Sequence, residues 1–98
     1  PAKMLNLCSQ ITQQLSRKLG RRLLPHHIIN LTVHLSCLVE RLQAGEQAGS
    51  WPGEEEIKKR YPREWAIVKE ALAGLEGNFN IAVPASEIAF MVQFLMET

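Results

Sequence analysis

The most regular feature of the sequence is a run of apolar residues in its second quarter. The run comprises Ile28, Leu31, Leu35, Leu38 and Leu42, which follow one another at intervals of three, four, three and four residues. Side chains at such intervals fall on one face of an α-helix, whereas a half-buried β-strand needs strict alternation. Pro25 suits the first turn of this helix, because its missing N–H needs no partner there. The pattern therefore predicts a helix from Pro25 to about Ala44.

Helical spacing recurs on both sides of this segment. In the first twenty residues the apolar positions are Met4, Cys8, Ile11, Leu15 and Leu19. Gly20 follows them, and glycine accommodates the reversal of the chain after a helix. Residues 61–75 repeat the intervals of four and three, and we expect that helix to begin at Pro62 and to end at Gly77-Asn78.

A loop, a short acidic segment and an apolar segment complete the chain. Residues 45–53 contain glycines and a proline and are predicted to form a loop. Glu54 then opens a short helix, since a run of carboxylates suits the positive end of the helix dipole. Residues 79–83 alternate weakly, but a lone strand has no partner, so we expect an extended connection. Pro84 begins the last helix, and residues 88–96 are so apolar that the core or a partner must cover them.

These segments predict an all-α fold: a compact bundle of four main helices plus one short helix. The 98 residues, 46% of them hydrophobic, suffice for one core and not for two, so residues 1–98 are interpreted as a single domain. The chain begins at Pro1 and both ends run into helical pattern. We therefore interpret it as a fragment of a larger protein.

Charge and cysteine content argue against several functions. Eleven basic and ten acidic residues leave a net charge of +1, which gives no general reason to expect nucleic-acid binding. One basic cluster is a possible exception, with weak and salt-sensitive affinity: Arg17, Lys18, Arg21 and Arg22. No apolar run reaches the roughly 18 residues of a membrane span. Cys8 and Cys37 are too few for a disulfide framework or a zinc set, and we expect buried free thiols in a reducing, cytoplasmic compartment.

Three polar residues of the second helix share one stripe beside its apolar face. His27, His34 and Arg41 are seven residues apart, which places His34 at the edge of the buried face, half packed and half reachable. His27, His34 and Cys37 lack the spacing of a metal site, so no metal is expected. Cys37 with His34 and Asn30 would need further converging groups to act as a nucleophilic site, so no enzyme activity is expected. A structural boundary histidine and a phosphoacceptor remain as interpretations of His34.

The phosphoacceptor interpretation has a chemical basis. A neutral imidazole nitrogen is a good nucleophile near pH 7, and the guanidinium of Arg41 matches the geometry of a phosphate. Histidine phosphotransfer domains carry Lys and Gly three and four residues after their histidine. Cys37 and Leu38 occupy these positions here, which argues against that class.

Three motifs in this chain are similar to those of a second class. Residues 29–35 read Ile-Asn-Leu-Thr-Val-His-Leu and are followed by Glu-Arg-Leu at residues 40–42. Residues 61–65 read Tyr-Pro-Arg-Glu-Trp, and residues 83–90 contain Val-Pro and Glu-Ile-Ala-Phe. In order and spacing these motifs resemble the PTS regulation domain of bacterial antiterminators and sigma-54-dependent activators. The resemblance covers about residues 4–95.

The resemblance implies which residues act. In this family a histidine at the position of His34 is phosphorylated, and we expect Asn30 and Arg41 to support the phosphate. Val33 stands where the family often has Asp. Phe94 stands where a second phosphorylatable histidine is usual. The resemblance therefore places phosphorylation on His34 alone.

The resemblance also implies a function and partners. It predicts a regulatory domain of a transcription regulator of sugar-uptake genes, which senses the phosphotransferase system through histidine phosphorylation and dimer rearrangement. The phosphate would come from HPr or from a sugar-specific transporter component. A homodimer is expected, without a cofactor and without direct nucleic-acid binding by this domain. The alternative is a helical dimerisation or interaction domain of such a regulator that is not phosphorylated.

Overall fold

Five α-helices form where the sequence predicts them. The computed structural model describes residues 2–47 and 49–97, and its helices are α1 Ala2–Leu19, α2 Pro25–Gln43, α3 Glu54–Arg60, α4 Pro62–Phe79 and α5 Ala85–Glu97. The described residues contain no strand. The predicted all-α bundle of four main helices and one short helix is therefore confirmed.

Left-handed residues mark three of the helix ends. Gly20 (φ +68°) follows α1 and Gly45 (φ +83°) follows α2, as the sequence predicts. The helix α4 continues to Phe79, one residue beyond the predicted end at Gly77-Asn78. Asn80 provides the turn instead, with φ 52° and ψ 52°. Asparagine tolerates this conformation better than most residues with a Cβ, so α4 needs no glycine at its end.

The core lies where α1 packs on α2 and α4, and where α5 packs on α3 and α4. Its most completely buried large side chains include Leu15, Leu35, Leu75 and Met91. Burying each of them stabilises the fold by about 1.5–3 kcal/mol. The apolar α5 lies mainly in this core, as one of the two predicted alternatives requires, although Phe90 is 43% exposed. No helix in residues 2–47 or 49–97 is both long and apolar enough to span a membrane.

Two residues of α2 differ from their predicted burial. Ile28 was expected on the buried face but is 39% exposed, and His27 is buried in the first turn instead. Cys8 is a buried free thiol as expected, whereas the expectation for Cys37 is wrong because that thiol is exposed. Cys37 follows the buried Leu35 by two residues, which is about 200° around the helix. It therefore faces away from the core.

Candidate functional site

The histidine predicted to accept a phosphate lies where α2 faces the first turn of α5. The His34 side chain is 26% exposed, and its Nε2 lies 2.7 Å from Oε2 of Glu87. An ionised carboxylate only accepts hydrogen bonds, so the Nε2–H of His34 donates to Glu87. The predicted half-packed position of His34 is confirmed.

Glu87 belongs to this site, although the sequence analysis assigned it no role in phosphate chemistry. Its side chain is 15% exposed. The hydrogen bond from His34 lowers the pKa of the Glu87 carboxyl below its ordinary value; burial opposes this, and electrostatic interactions with His34 and Arg41 reinforce it. The carboxylate is therefore ionised at neutral pH. In the sequence, Glu87 stands in the first turn of a helix that follows Pro84 and opens the Glu-Ile-Ala-Phe motif of residues 87–90.

Arg41 reaches His34 through Glu87 rather than directly. Its Nη2 lies 3.7 Å from Oε1 of Glu87, and its Nη1 lies 4.0 Å from Oε1 of Glu46. The Arg41 side chain is 44% exposed and therefore retains freedom to move. Glu87 thus joins the two predicted site residues, with one carboxylate oxygen toward the imidazole and the other toward the guanidinium.

The ring of His34 also borders an apolar cavity between α2 and α5. The Phe90 ring stacks on it, with 4.5 Å between centroids and 21° between the planes. The cavity has a volume of about 410 Å³. Besides His34 and Phe90, its lining includes Asn30, Val33, Cys37 and Phe94. The structure therefore brings Asn30 to the same cavity as His34, while Arg41 lies beyond Glu87.

The second ring nitrogen of His34, Nδ1, has no hydrogen-bond partner within residues 2–47 and 49–97. In these residues every buried side-chain nitrogen and oxygen does have a partner. Nδ1 is therefore not buried, and it meets solvent. An exposed imidazole nitrogen is a suitable nucleophile for group transfer when it carries no proton.

Comparison with known proteins identifies the family to which the chain belongs. The family model of the PRD domain matches residues 9–98, which include His34, Arg41 and Glu87. The chain belongs to the PRD domain family. The resemblance inferred from the motifs around His34 is therefore confirmed.

This PRD domain is also similar to a protein of Bacillus subtilis (strain 168), the transcription antiterminator LicT. The two are 28% identical over 94 residues, which is 93% of this chain and 32% of LicT. The chain thus spans about a third of the length of that relative.

His27, on the same stripe of α2 as His34, has a structural role in this PRD domain. It is 7% exposed, and its Nδ1 accepts a hydrogen bond of 3.1 Å from the backbone N–H of Leu24. Its ring meets the ring of Phe94 edge-on at 5.6 Å. Burial lowers the pKa of His27, and the charges of His26 and Arg21 lower it further. A neutral His27 therefore helps to cap α2.

Two further arrangements considered from the sequence, a metal-ligand cluster and a Cys–His–Asn set, can be compared with the described part of the PRD domain. No three His, Cys, Asp or Glu side chains in residues 2–47 and 49–97 could together hold a metal ion. Asn30 and Cys37 line the same cavity as His34, but no hydrogen bond joins these three side chains. The Cys–His–Asn constellation considered from sequence thus shares a cavity without the contacts of a catalytic site.

The basic cluster at the end of α1 is used inside the domain. Arg21 donates a hydrogen bond of 2.7 Å to the carbonyl oxygen of Leu95, and Lys18 lies 3.7 Å from the carboxylate of Glu70. These contacts tie the end of α1 to α5 and α4. Two of the four basic side chains therefore have partners inside the domain, which weakens the case for a nucleic-acid surface here.

Proposed function

We propose that this PRD domain is the regulatory part of a bacterial transcription regulator of sugar-uptake genes, and that His34 is its phosphorylation site. Family membership and the similarity to an antiterminator support the regulatory role. The observation that carries the site is the geometry of His34. Its Nε2 is held 2.7 Å from Glu87 while its Nδ1 meets solvent. A positioned but reachable imidazole suits transfer of a phosphoryl group.

Phosphorylation would change the charge of this region sharply. A phosphoryl group adds roughly −1.5 to −2 charges at pH 7. It would arrive beside Glu87, which is already ionised and only 15% exposed. Arg41 lies 3.7 Å from that carboxylate and is exposed enough to turn toward the new anion. The amide of Asn30, in the adjoining cavity, is a second donor for phosphate oxygens.

The charge change offers a route to altered assembly. Val33 and Phe90 line the cavity beside His34 and are 59% and 43% exposed, and Ile29, one turn before Val33, is 61% exposed. Two copies that packed through these side chains would bury apolar area and bring their phosphoacceptors near the interface. A phosphate there repels a like charge or recruits Arg41, and either event shifts the dimer equilibrium. This shift would reach the effector module of the whole regulator, an antiterminator or an activator.

The proposed phosphodonors are HPr and a sugar-specific transporter component, both acting in the cytoplasm. Either must bring its phosphohistidine to the open side of the His34 ring. That side is largely apolar, with Val33 and Phe90 at its edge. A donor with an apolar contact surface around its own histidine fits such a site.

Intact-mass analysis after incubation with phosphorylated HPr tests the proposal. We expect a gain of one phosphoryl group that is lost in His34→Ala and retained in His26→Ala, a change at an exposed histidine outside the site. Circular dichroism must show that both variants fold. A folded wild-type chain that gains no phosphate from HPr or from the transporter component would contradict the proposal, and so would an equal gain in His34→Ala.

The alternative function, an interaction domain that is not phosphorylated, has one specific observation in its favour. Phe94 replaces the second histidine usual in the family and stacks with Phe90 at 6.3 Å, which extends the apolar surface. This function predicts that Val33→Lys weakens self-association and that phosphorylation has no influence on it. Sedimentation equilibrium with and without phosphorylated HPr distinguishes the two functions.

A further inference from the structure

We propose that Glu87 is a positioning residue that directs the phosphoryl group to Nδ1 of His34. The inference rests on the proposed function, because it names the accepting nitrogen of the same site. It specifies which nitrogen of His34 accepts the phosphoryl group, and it assigns Glu87 of α5 a role in the reaction.

The tautomer of the imidazole is the first step of the argument. A neutral imidazole has one N–H and one nitrogen with a free electron pair. Glu87 holds an ionised carboxylate oxygen 2.7 Å from Nε2, so the proton belongs on Nε2 and the electron pair on Nδ1. A carboxylate that orients a histidine in this way fixes which nitrogen reacts.

Access and charge favour the same nitrogen. Nδ1 meets solvent, whereas Nε2 faces a carboxylate that is 15% exposed. A phosphate on Nε2 would have to replace the hydrogen bond and then lie against that like charge. Stacking of Phe90 on the ring at 4.5 Å opposes a simple reorientation of the imidazole. The free electron pair therefore lies on the open side of the ring.

The transfer balances without any further reactant. The donor is a phosphohistidine whose second nitrogen is protonated. Its N–P bond breaks, the electron pair returns to the donor nitrogen, and the donor imidazole leaves neutral. The Nδ1 electron pair of His34 forms the new N–P bond. The ring gains positive charge, and the Nε2 proton stays between the ring and Glu87, whose carboxylate stabilises that charge.

The positional isomer of the product tests the inference directly. We would phosphorylate the chain with phosphorylated HPr and, separately, with phosphoramidate, and assign the phosphohistidine by ³¹P and ¹⁵N NMR. Phosphate on Nδ1 of His34 is the expected result. Phosphate on Nε2 would overturn the inference and leave the proposed function intact. No phosphate on His34 from either of these donors or from the transporter component would overturn both.

A substitution at Glu87 separates positioning from simple stabilisation. In Glu87→Gln the amide can accept from or donate to Nε2, so control of the tautomer is lost. We expect a mixture of both positional isomers and transfer about tenfold slower, as for loss of a charge-assisted hydrogen bond. Glu55→Gln, the same change at an exposed carboxylate of α3, should leave isomer and rate unchanged.

The ¹⁵N spectrum of unphosphorylated His34 gives an independent check. Wild type should show a protonated Nε2 and an unprotonated Nδ1 at neutral pH, and Glu87→Gln should shift this distribution. If folded Glu87→Gln keeps the wild-type tautomer and isomer, Glu87 does not direct the reaction.

Discussion

His27 and His34 lie two turns apart on one stripe of α2, yet α5 gives them opposite surroundings. His27 is buried against Phe94 and accepts a backbone hydrogen bond through Nδ1. His34 is partly exposed and donates through Nε2 to Glu87. The His27 ring caps the start of α2, and the His34 ring lies at the edge of an open cavity.

The difference shows how a neighbouring helix assigns roles to equivalent positions. Glu87 and Phe94 are seven residues apart, as His27 and His34 are, and they face the histidines in reverse order. This is the pairing of two antiparallel helices. A carboxylate opposite one histidine produces a polarised pair, and an aromatic ring opposite the other produces packing. Residue type and spacing on α2 alone do not distinguish the two.

The largest expected effect is on stability, when the ring of His27 or of His34 is removed by substitution with alanine. His27→Ala removes the acceptor for the N–H of Leu24 and a buried ring, so the free energy of unfolding should fall by about 1–3 kcal/mol. His34→Ala removes a partly exposed pair and should cost less than about 1 kcal/mol. Urea unfolding at pH 7 measures both, with His26→Ala as the exposed control.

If His27→Ala and His34→Ala lowered the free energy of unfolding equally, the different burial of the two histidines would not account for their contributions to stability. The rings of His26 and His27 also pack on each other, with 4.1 Å between centroids. If His26→Ala lowered the free energy of unfolding as much as His27→Ala, this packing, and not the helix cap, would be the source of the stability.

The second effect is a pH dependence that belongs to His27. Burial, together with the charges of His26 and Arg21, holds the pKa of His27 below its ordinary value of 6.5. Below pH 6.5 the unfolded chain therefore binds a proton that the folded chain does not, and stability falls until the pH reaches the folded pKa. We expect the stability difference between wild type and His27→Ala to shrink as the pH falls from 7 toward 5. A difference that stays constant over this range would contradict the assignment of His27 as a neutral cap.

Much of the fold followed from local pattern, since helix faces and helix ends depend on residues close in sequence. The stripe of Leu31, Leu35 and Leu38 is buried as its spacing predicts. Ile28 was assigned to the wrong face because spacing does not show which side of a first turn a distant helix covers. That side is decided here by Phe94 of α5, which packs on His27.

The site was predictable only in part, for a related reason. His34 and Arg41 share a stripe of α2 and were found from the sequence. Glu87 is 53 residues away from His34, and no periodicity connects them. Arg41, which is predicted to support a phosphate on His34, lies 3.7 Å from the Glu87 carboxylate in the structure. The carboxylate that joins the two is visible only once α2 and α5 are side by side.

A third test examines the hydrogen-bonded pair of His34 and Glu87. Because the His34 hydrogen bond is the largest cause of the lowered pKa of Glu87, His34→Ala should raise that pKa more than Arg41→Ala does. Stability from this carboxylate is present above its ordinary pKa of 4.5 and is lost as the pH falls through the folded value. A ¹³C NMR titration of the Glu87 carboxyl in the three chains measures the order. A larger rise in Arg41→Ala would make the ion pair, not the imidazole, the main partner of Glu87.

The smallest expected effect uses Cys37 as a reporter in the cavity beside His34. Cys37 is exposed and lines the cavity beside His34, whereas Cys8 is buried, and burial raises the pKa of the Cys8 thiol. A thiol reagent should therefore label Cys37 alone in the folded chain, and Cys37→Ser should change stability by less than about 0.5 kcal/mol. A phosphate on Nδ1 disfavours the nearby thiolate, so labelling should slow about twofold to threefold after phosphorylation. An unchanged rate in a chain carrying phosphate on His34 would place that phosphate away from the cavity, on the Glu87 side of the ring.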